Sequence, residues 1–389
     1  QHPQTLIAWE TLAWGMSKAG CHEGAIVQAQ DLYQLRCRLL GAEHQDCLTS
    51  LSDKAEYLMQ AGRYWDAHQA GRSCLLPQQK LLGAEHARVL RTKHNLAQCL
   101  VKLGHPEHTE EGVKYAKECL QSRIRVLGPD HPATLDTLEL VARSISLLGT
   151  QVSNPAQRAE HHEEALERGE DAFKKRCRLL GEEHPKTLSS MRSLVQFRRL
   201  AHQAEAAVTL GQECLRLHQQ VLGRLNDLTL QIQEELAQCE ELVGQYTEAL
   251  RLAKECWNAR SESLGPSDST TLQLMRLVLR CMLCEGGDST EAVEFGRKCV
   301  QLHSSTLSED DILTMECKES LMSILSNAAQ HEEAVELGEK CLRMRQRVCG
   351  RTHESTATTM SMLSWVLCRA GRFQEAISMN LQAQRLQLT

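Results

Sequence analysis

The sequence predicts an all-α chain in which about nine helix-turn-helix hairpins stack into a right-handed superhelical solenoid. Three observations lead to this fold. Helix-forming residues dominate the composition, a Leu-Gly dipeptide recurs at near-constant intervals, and a second, small-residue marker keeps the same intervals. Because one hairpin cannot bury its apolar faces alone, hairpins repeated along a chain must stack on one another.

The composition favours helices and excludes several classes of protein. Leu, Ala, Glu, Gln and Arg are abundant, and only 4% of the 389 residues are aromatic. The net charge of -6 is spread along the chain, so nucleic acid is not an expected partner. No run of about 18 apolar residues occurs, so no membrane partner is expected either. We expect a cytoplasmic protein whose cysteines are reduced, because no secretion signal precedes them.

The Leu-Gly dipeptide and the small-residue marker define the repeat. Successive Leu-Gly sites, or pairs that replace them, are 42, 45, 53, 42, 42, 43 and 42 residues apart, from Leu40-Gly41 to Cys349-Gly350. The small marker begins at Ala25, follows the same irregular rhythm, and reaches Ala376 with one last step of 42. Two markers in register predict a single solenoid over 1–389. Its units are roughly 1–40, 41–82, 83–127, 128–180, 181–222, 223–264, 265–307, 308–349 and 350–389.

Each unit begins with a helix A shortly after Leu-Gly. In His131-Pro132 and His184-Pro185, Pro suits the first helical turn, the preceding Gly suits a helix end, and nearby Thr or Asp can cap free amides. The repeat therefore explains why a histidine recurs at the entry of helix A. These histidines are His2, His44, His86, His131, His184 and His353.

A short polar break then leads into helix B, which runs to the next Leu-Gly. Gly62-Arg63-Tyr64 and Gly371-Arg372-Phe373 are examples of this break. The extra residues of the third and fourth units fall around His105-Pro106 and 150–159, and we predict that they form loop insertions.

Cysteines share a repeat position, seven residues after the small marker, which Ala takes in two units. This indicates a small buried core site, occupied by Cys74, Cys119, Cys214, Cys256, Cys299 and Cys341. Cys281 and Cys284 form a C-x-x-C, but they lack a second ligand pair, so neither a metal nor a cofactor is predicted. No catalytic motif or phosphate-binding loop occurs in the sequence, and we do not expect an enzyme.

These L-G-x-x-H-P-x-T-L and G-x-Y/F-x-E-A motifs resemble the 42-residue tetratricopeptide repeats of kinesin light chains and of fungal and bacterial signalling proteins. The resemblance covers essentially the whole chain. It implies a scaffold that binds a partner protein or peptide in a concave groove, as kinesin light chains bind cargo with the help of asparagines on helix A. At the matching positions of this sequence, only Asn95 is an asparagine.

Helix A is expected to line the groove. Its core positions lie four, ten and eleven residues past the entry His, so positions five, eight and twelve should share the adjacent, groove-facing stripe. Arginines there suit an acidic segment of a partner. Glu139, Glu316 and Glu319 also lie on this stripe, so a self-neutralising solvated face is the alternative. The candidate groove residues are Arg91, His94, Asn95, Arg143, Arg192, Gln196, Arg276, Arg280 and Trp365.

Other functions remain open at this point. The chain starts at Gln1 without an initiator Met, which suggests a sensing or regulatory array cut from a larger multidomain signalling protein. An enzyme or metal protein that uses the surplus of Cys and His is a third hypothesis. Self-association through the terminal repeats is a further expectation, because Trp9 and Trp14 lie in the first helix, where large apolar residues can cover a neighbouring repeat.

Overall fold

The computed structural model describes residues 3–286 and 289–387, and within these ranges the chain forms helices joined by short turns. The entry residue His2 lies outside the described residues. Paired helices confirm the prediction of an all-α array of about nine hairpins, in which odd-numbered helices are helix A and even-numbered helices are helix B. The helices are α1 (Pro3–Lys18), α2 (His22–Leu40), α3 (Gln45–Gln60), α4 (Tyr64–Leu82), α5 (Ala87–Leu103), α6 (Pro106–Leu127), α7 (Pro132–Gln151), α8 (Pro155–Leu180), α9 (Pro185–Leu200), α10 (Ala204–Leu222), α11 (Asp227–Leu242), α12 (Tyr246–Leu264), α13 (Ser269–Glu285), α14 (Ser289–Thr306), α15 (Ile312–Asn327), α16 (His331–Val348), α17 (Glu354–Arg369) and α18 (Phe373–Gln387).

Contacts divide the chain into a first unit, Gln1–Gln203, and a second unit, Ala204–Thr389. In the first unit, helix A of each hairpin also contacts helix A of the next, from α1 through α3, α5 and α7 to α9. The second unit repeats this pattern from α11 to α17. Within the described part of either unit, no helix B contacts another helix B, so the helices A form the inner row. A single solenoid over 1–389 stays a prediction.

The entry histidines cap helix A. Nδ1 of His44 and of His131 accepts a hydrogen bond from the amide two residues later, at 3.2 and 3.1 Å, and this ring nitrogen replaces the oxygen of an ordinary N-cap. The prediction that nearby Asp or Thr caps free amides is confirmed for Asp268 and Asp311, which are the N-caps of α13 and α15. It was wrong for Thr134, whose hydroxyl donates instead to the Gly128 carbonyl at 2.9 Å. This bond fixes the turn between helix B and the next helix A.

The predicted loop insertions at His105-Pro106 and 150–159 are helix extensions, and the prediction was wrong. Helix α6 has 22 residues and α8 has 26, whereas α4 has 19. Helix α7 is also longer than α9, with 20 residues against 16. Pro106 and Pro155 occupy the first turn of helix B, where proline needs no amide partner, so the added residues continue each helix and leave short turns.

The core follows the repeat. Leu135, Val141 and Ala142, which stand for the predicted core positions of helix A, are buried. The shared cysteine position is fully buried wherever Cys occupies it, and also where Ala172 and Ala383 replace it. The prediction of a small core site is confirmed.

Candidate protein-binding surface

A polar cluster recurs where helix B meets the helix A before it and the helix A after it. Helix B contributes the residue four before the Leu of Leu-Gly. The helix A before it contributes the residue eight past its N-cap, and the helix A after it contributes the residue six past its N-cap. In one example Arg176 on α8 bonds both Glu139 on α7 and Ser190 on α9, at 2.5 Å for Ser190. Arg345 contacts Glu319 through two hydrogen bonds of 3.0 and 3.1 Å, and Thr359 donates to the same carboxylate at 2.6 Å. We call this arrangement the junction cluster.

The junction cluster shows that the predicted groove-facing stripe was wrong for two glutamates. Glu139 and Glu319 were expected to face the groove, but their residues are only 6% and 8% exposed. The helix B arginines draw these carboxylates inward, because a buried charge needs an opposite charge and hydrogen bonds. Sequence reasoning missed these arginines, although their recurrence four residues before Leu-Gly, at Arg36, Arg123, Arg176, Arg260 and Arg345, was a readable signal.

Three of the candidate groove residues lie on α5. Arg91 is exposed and pairs with Asp53 of α3, with Nη2 to Oδ1 at 2.7 Å. His94 belongs to a junction cluster, with Nδ1 at 3.3 Å from the Thr137 hydroxyl. Burial, aided by the nearby positive charges of Arg123 and Arg143, lowers the pKa of His94 to about 4, so its ring is neutral at pH 7. Asn95 is half-buried.

Arg143 and Gln196 meet in a pocket between the C-terminal halves of α5, α7 and α9. The pocket has a volume of about 240 Å³ and also includes Gln98, Lys102 and the apolar Val101. The described residues that line it include two cations and no carboxylate. Nε of Arg143 is buried without a hydrogen-bond partner, and Arg143 forms no ion pair with a described carboxylate. We call this cavity the α5–α7–α9 pocket.

A second groove lies between α1, α3 and α5, with a volume of about 600 Å³. Its lining includes the exposed Trp14 together with Glu10, Asp53, Glu56 and Arg91. Arg91 is balanced here by Asp53, and Glu10 by Arg36, so the charges of this groove are largely paired within the chain.

The remaining candidates are spread over both units. Arg192 is half-buried in α9 of the first unit. In the second unit, Arg276 on α13 pairs with Glu316 on α15, and Arg280 binds Glu241 on α11 through hydrogen bonds of 3.0 and 2.5 Å. Trp365 on α17 is 45% exposed, and the guanidinium of Arg369 lies 5.0 Å from its ring centroid. The structure therefore places Arg143 and Gln196 in the same pocket, and the other candidates lie outside it.

One set of residues in the described chain has the chemistry of a metal site. Cys299, His303 and Cys317 are buried together on α14 and α15, with ligand atoms within 4.8 Å of one another. The repeat pattern indicates only a core role for Cys299, and it gives no signal for His303 or Cys317. Cys281 and Cys284, the C-x-x-C pair, are respectively buried and exposed on α13 and do not join this group.

Comparison with known proteins identifies the repeat. Tetratricopeptide repeat models match residues 320–388, and also residues 89–133 and 156–186. No curated protein sequence matches the chain significantly. Among the described helices, none combines the length and the apolar character needed to span a membrane.

Solved structures support the fold. The apo form of RapI has a TM-score of 0.65 at 10% identity, and the similarity covers 98% of each chain. A Rap protein complexed with competence and sporulation factor has a TM-score of 0.58 at 9% identity, over 99% of this chain and 98% of that one. A kinesin light chain-type protein of Podosopora anserina with nearly identical TPR-like repeats is 24% identical over 56% of this chain and 96% of its own, but its TM-score of 0.47 is too low to establish a shared fold.

Such identities bear on the fold and not on the activity. The matching models agree with the regular markers and the helix pairs in the segments they cover, and the markers and helix pairs continue the same pattern outside those segments. Together they show that this chain is a tetratricopeptide repeat array.

Proposed function

We propose that this chain is a protein-interaction scaffold and that the α5–α7–α9 pocket binds an acidic side chain of a partner protein or peptide. The observation that carries the proposal is the state of Arg143, whose buried Nε has no hydrogen-bond partner in a pocket with a second cation and no described carboxylate. A buried polar group without a partner is costly, so a ligand that supplies an acceptor gains binding free energy there.

The shape and lining of the pocket fit a carboxylate on an apolar stem. Leu140 and Phe197 provide apolar walls, while Arg143, Lys102 and Gln196 supply hydrogen-bond donors. A guanidinium can hold a carboxylate through two parallel hydrogen bonds, which gives orientation as well as affinity. Three consecutive helices A contribute to the pocket, so an extended or helical segment could continue along the inner row from this anchor.

The other arginine candidates contribute less to this proposal. Arg91, Arg276 and Arg280 already pair with carboxylates of neighbouring helices. An acidic partner would have to displace those carboxylates and would gain only the difference between two similar ion pairs. Binding should therefore depend on Arg143 far more than on Arg91.

Two further inferences accompany the scaffold. None of the seventeen cysteines, all of which lie in the described part of the chain, forms a disulfide, which favours a reducing compartment such as the cytoplasm. The Rap relative complexed with competence and sporulation factor supports the idea that an array of this fold can bind such a factor. We propose no catalytic role for the pocket, because its cations and amides do not form a nucleophile paired with a base.

A peptide library tests the proposal directly. Random peptides are selected on the whole chain, and each enriched peptide is resynthesised with Asp replaced by Asn and Glu by Gln. We expect acidic peptides to be enriched, to lose more than tenfold in affinity as amides, and to lose as much on Arg143→Glu. Arg91→Glu, a charge reversal on the same helix A surface, is the matched control and should change affinity less than threefold. Equal binding of acidic and amide peptides, or equal effects of the two variants, would overturn the proposal.

A further inference from the structure

The junction cluster changes its chemistry between α14 and α15. Where helix B carries Arg, the next helix A often carries Ser or Thr at position six, as in Arg123 with Thr137 and Arg176 with Ser190. At the α14–α15 junction the same two repeat positions hold His303 and Cys317. The guanidinium and hydroxyl of the other repeats are thus replaced by an imidazole and a thiol. Cys299, at the shared cysteine position, lies one helical turn before His303 and brings a second thiol.

The three side chains form a closed group. None of them is exposed to solvent. The Cys299 and Cys317 sulfurs are 3.5 Å apart, and the Cys299 sulfur lies 3.6 Å from Nδ1 of His303. Nδ1 of His303 also lies 2.9 Å from the Cys299 carbonyl, to which it donates its proton, because a carbonyl oxygen can only accept. Nε2 therefore carries the lone pair, and it is buried without a hydrogen-bond partner.

These features match what a metal ion requires. A metal-bound histidine commonly donates its other ring proton to a backbone carbonyl, as His303 does. Metal–sulfur bonds of about 2.3 Å in a tetrahedral site place two sulfurs roughly 3.8 Å apart. The observed 3.5 Å separation is close to this value, so the two helices already hold the thiols near ligand spacing. Binding would form two metal–sulfur bonds and one metal–nitrogen bond, and each thiol that coordinates the ion would release its proton to solvent.

We propose that Cys299, His303 and Cys317 bind one thiophilic d¹⁰ metal ion, Cu(I) or Zn(II). Both ions accept thiolate and imidazole ligands, and neither requires a redox step. The described His, Cys, Asp and Glu side chains supply these three ligands and no fourth. This favours Cu(I), which accepts a trigonal set of soft ligands, over Zn(II), which usually takes four.

The chain contains a natural half-site for comparison. Cys214 and His218 on α10 repeat the arrangement of Cys299 and His303, with Nδ1 of His218 at 2.8 Å from the Cys214 carbonyl. The residue that corresponds to Cys317 is Ile232, which is fully buried. Ile232→Cys should therefore create a second site of the same composition.

A metal titration tests the site in the full chain. The exposed thiols Cys21, Cys284 and Cys368 are first replaced by Ser, to remove surface binding. Anaerobic competition with a chromophoric chelator then measures uptake of Cu(I) and, separately, of Zn(II). We expect uptake of one equivalent of at least one of the two ions to be lost in Cys317→Thr, which carries the residue that other repeats use at this position.

Two more variants complete the test. Cys256→Ala is the matched control, because Cys256 shares the repeat position of Cys299 but is followed one turn later by Arg260. It should keep the equivalent, while Ile232→Cys should raise uptake to two, with folding checked by thermal melting. The proposal is overturned if Cys317→Thr takes up as much of both ions as its parent, or if Cys256→Ala loses uptake to the same extent. A Cys299–Cys317 disulfide in the freshly purified protein, detected by mass spectrometry, would also overturn it.

Discussion

Arg143 and Arg280 occupy the same repeat position, twelve residues past the N-cap of helix A, yet their surroundings differ. Arg280 binds Glu241 of the preceding helix A through two hydrogen bonds. The residue that corresponds to Glu241 in the repeat before Arg143 is Val101, which lines the α5–α7–α9 pocket. One difference, fifteen residues past the N-cap, therefore separates an arginine that is neutralised within the array from one that has no described carboxylate partner.

The comparison explains how a repeat array acquires a local site without a new element. The Arg280–Glu241 pair is partly exposed, so its contribution to stability is modest, about 0–1 kcal/mol. Loss of the acidic partner next to Arg143 therefore costs the fold little. The same loss leaves a cation in a pocket with apolar walls, where an incoming carboxylate is less screened by water.

The largest expected effect follows from supplying Arg143 with an internal partner. Val101→Glu should place a carboxylate beside Arg143 and weaken the binding of acidic peptides by more than tenfold, about 1.4 kcal/mol or more. Fluorescence anisotropy with a labelled acidic peptide measures this loss. Val101→Thr, which is similar in size and uncharged, is the control. Unchanged affinity in Val101→Glu would show that Arg143 is not the anchor.

The reciprocal change should create a weaker site. Glu241→Val removes the partner of Arg280 and should give the second unit its own affinity for acidic peptides, severalfold above that of the wild-type second unit. Calorimetry on the Arg143→Ala background detects the new site without interference from the pocket. Glu248→Val, which removes a carboxylate that pairs with Arg251 on helix B, is the control and should add no binding. A null result for Glu241→Val would mean that repeat position alone does not make a site.

A pH titration should reveal the environment of His94. Its folded pKa of about 4 lies below the ordinary value of 6.5, so the unfolded chain takes up a proton first as the pH falls. Stability linked to His94 is complete above about pH 6.5 and declines as the pH is lowered toward 4. His94→Gln should flatten the pH dependence of the melting temperature in this window, measured against the wild type. Parallel curves for the two proteins would contradict the buried, neutral ring.

The smallest effect is expected at Arg91. Its pair with Asp53 is solvent-exposed on the arginine side, so Arg91→Ala should lower the free energy of unfolding by about 1 kcal/mol or less. Urea denaturation provides the measurement. If the free energy of unfolding fell by several kcal/mol, the Arg91–Asp53 pair would be a major structural contact. Arg91 would then be a poor control for Arg143.

The sequence predicted much of the fold because helix boundaries and core positions are local. Gly181 at a helix end, Pro185 at a helix start and the Cys256 core site all follow from short-range geometry. The junction clusters escaped prediction because Arg176 meets Glu139 and Ser190 only after three helices pack. Val101 escaped for the same reason, since its importance depends on the helix A that follows it.

For the candidate site residues, the sequence predicted which face of helix A each one occupies, but not which side chain it pairs with. Helical spacing placed Arg143 and Gln196 on one side of helix A, and both line the pocket. Spacing could not show that Arg276 would meet Glu316 from the next repeat. Charge compensation between repeats depends on which side chains lie opposite one another, and a periodic pattern read along one helix does not contain that information.

A double-mutant cycle between Arg143 and a peptide carboxylate tests the central claim most directly. Calorimetry would measure four affinities: wild type and Arg143→Ala, each with a selected acidic peptide and with its amide counterpart. We predict a coupling free energy above about 1 kcal/mol, as expected for a direct contact between charged partners. Additive effects, with a coupling near zero, would contradict the claim that Arg143 binds the acidic group.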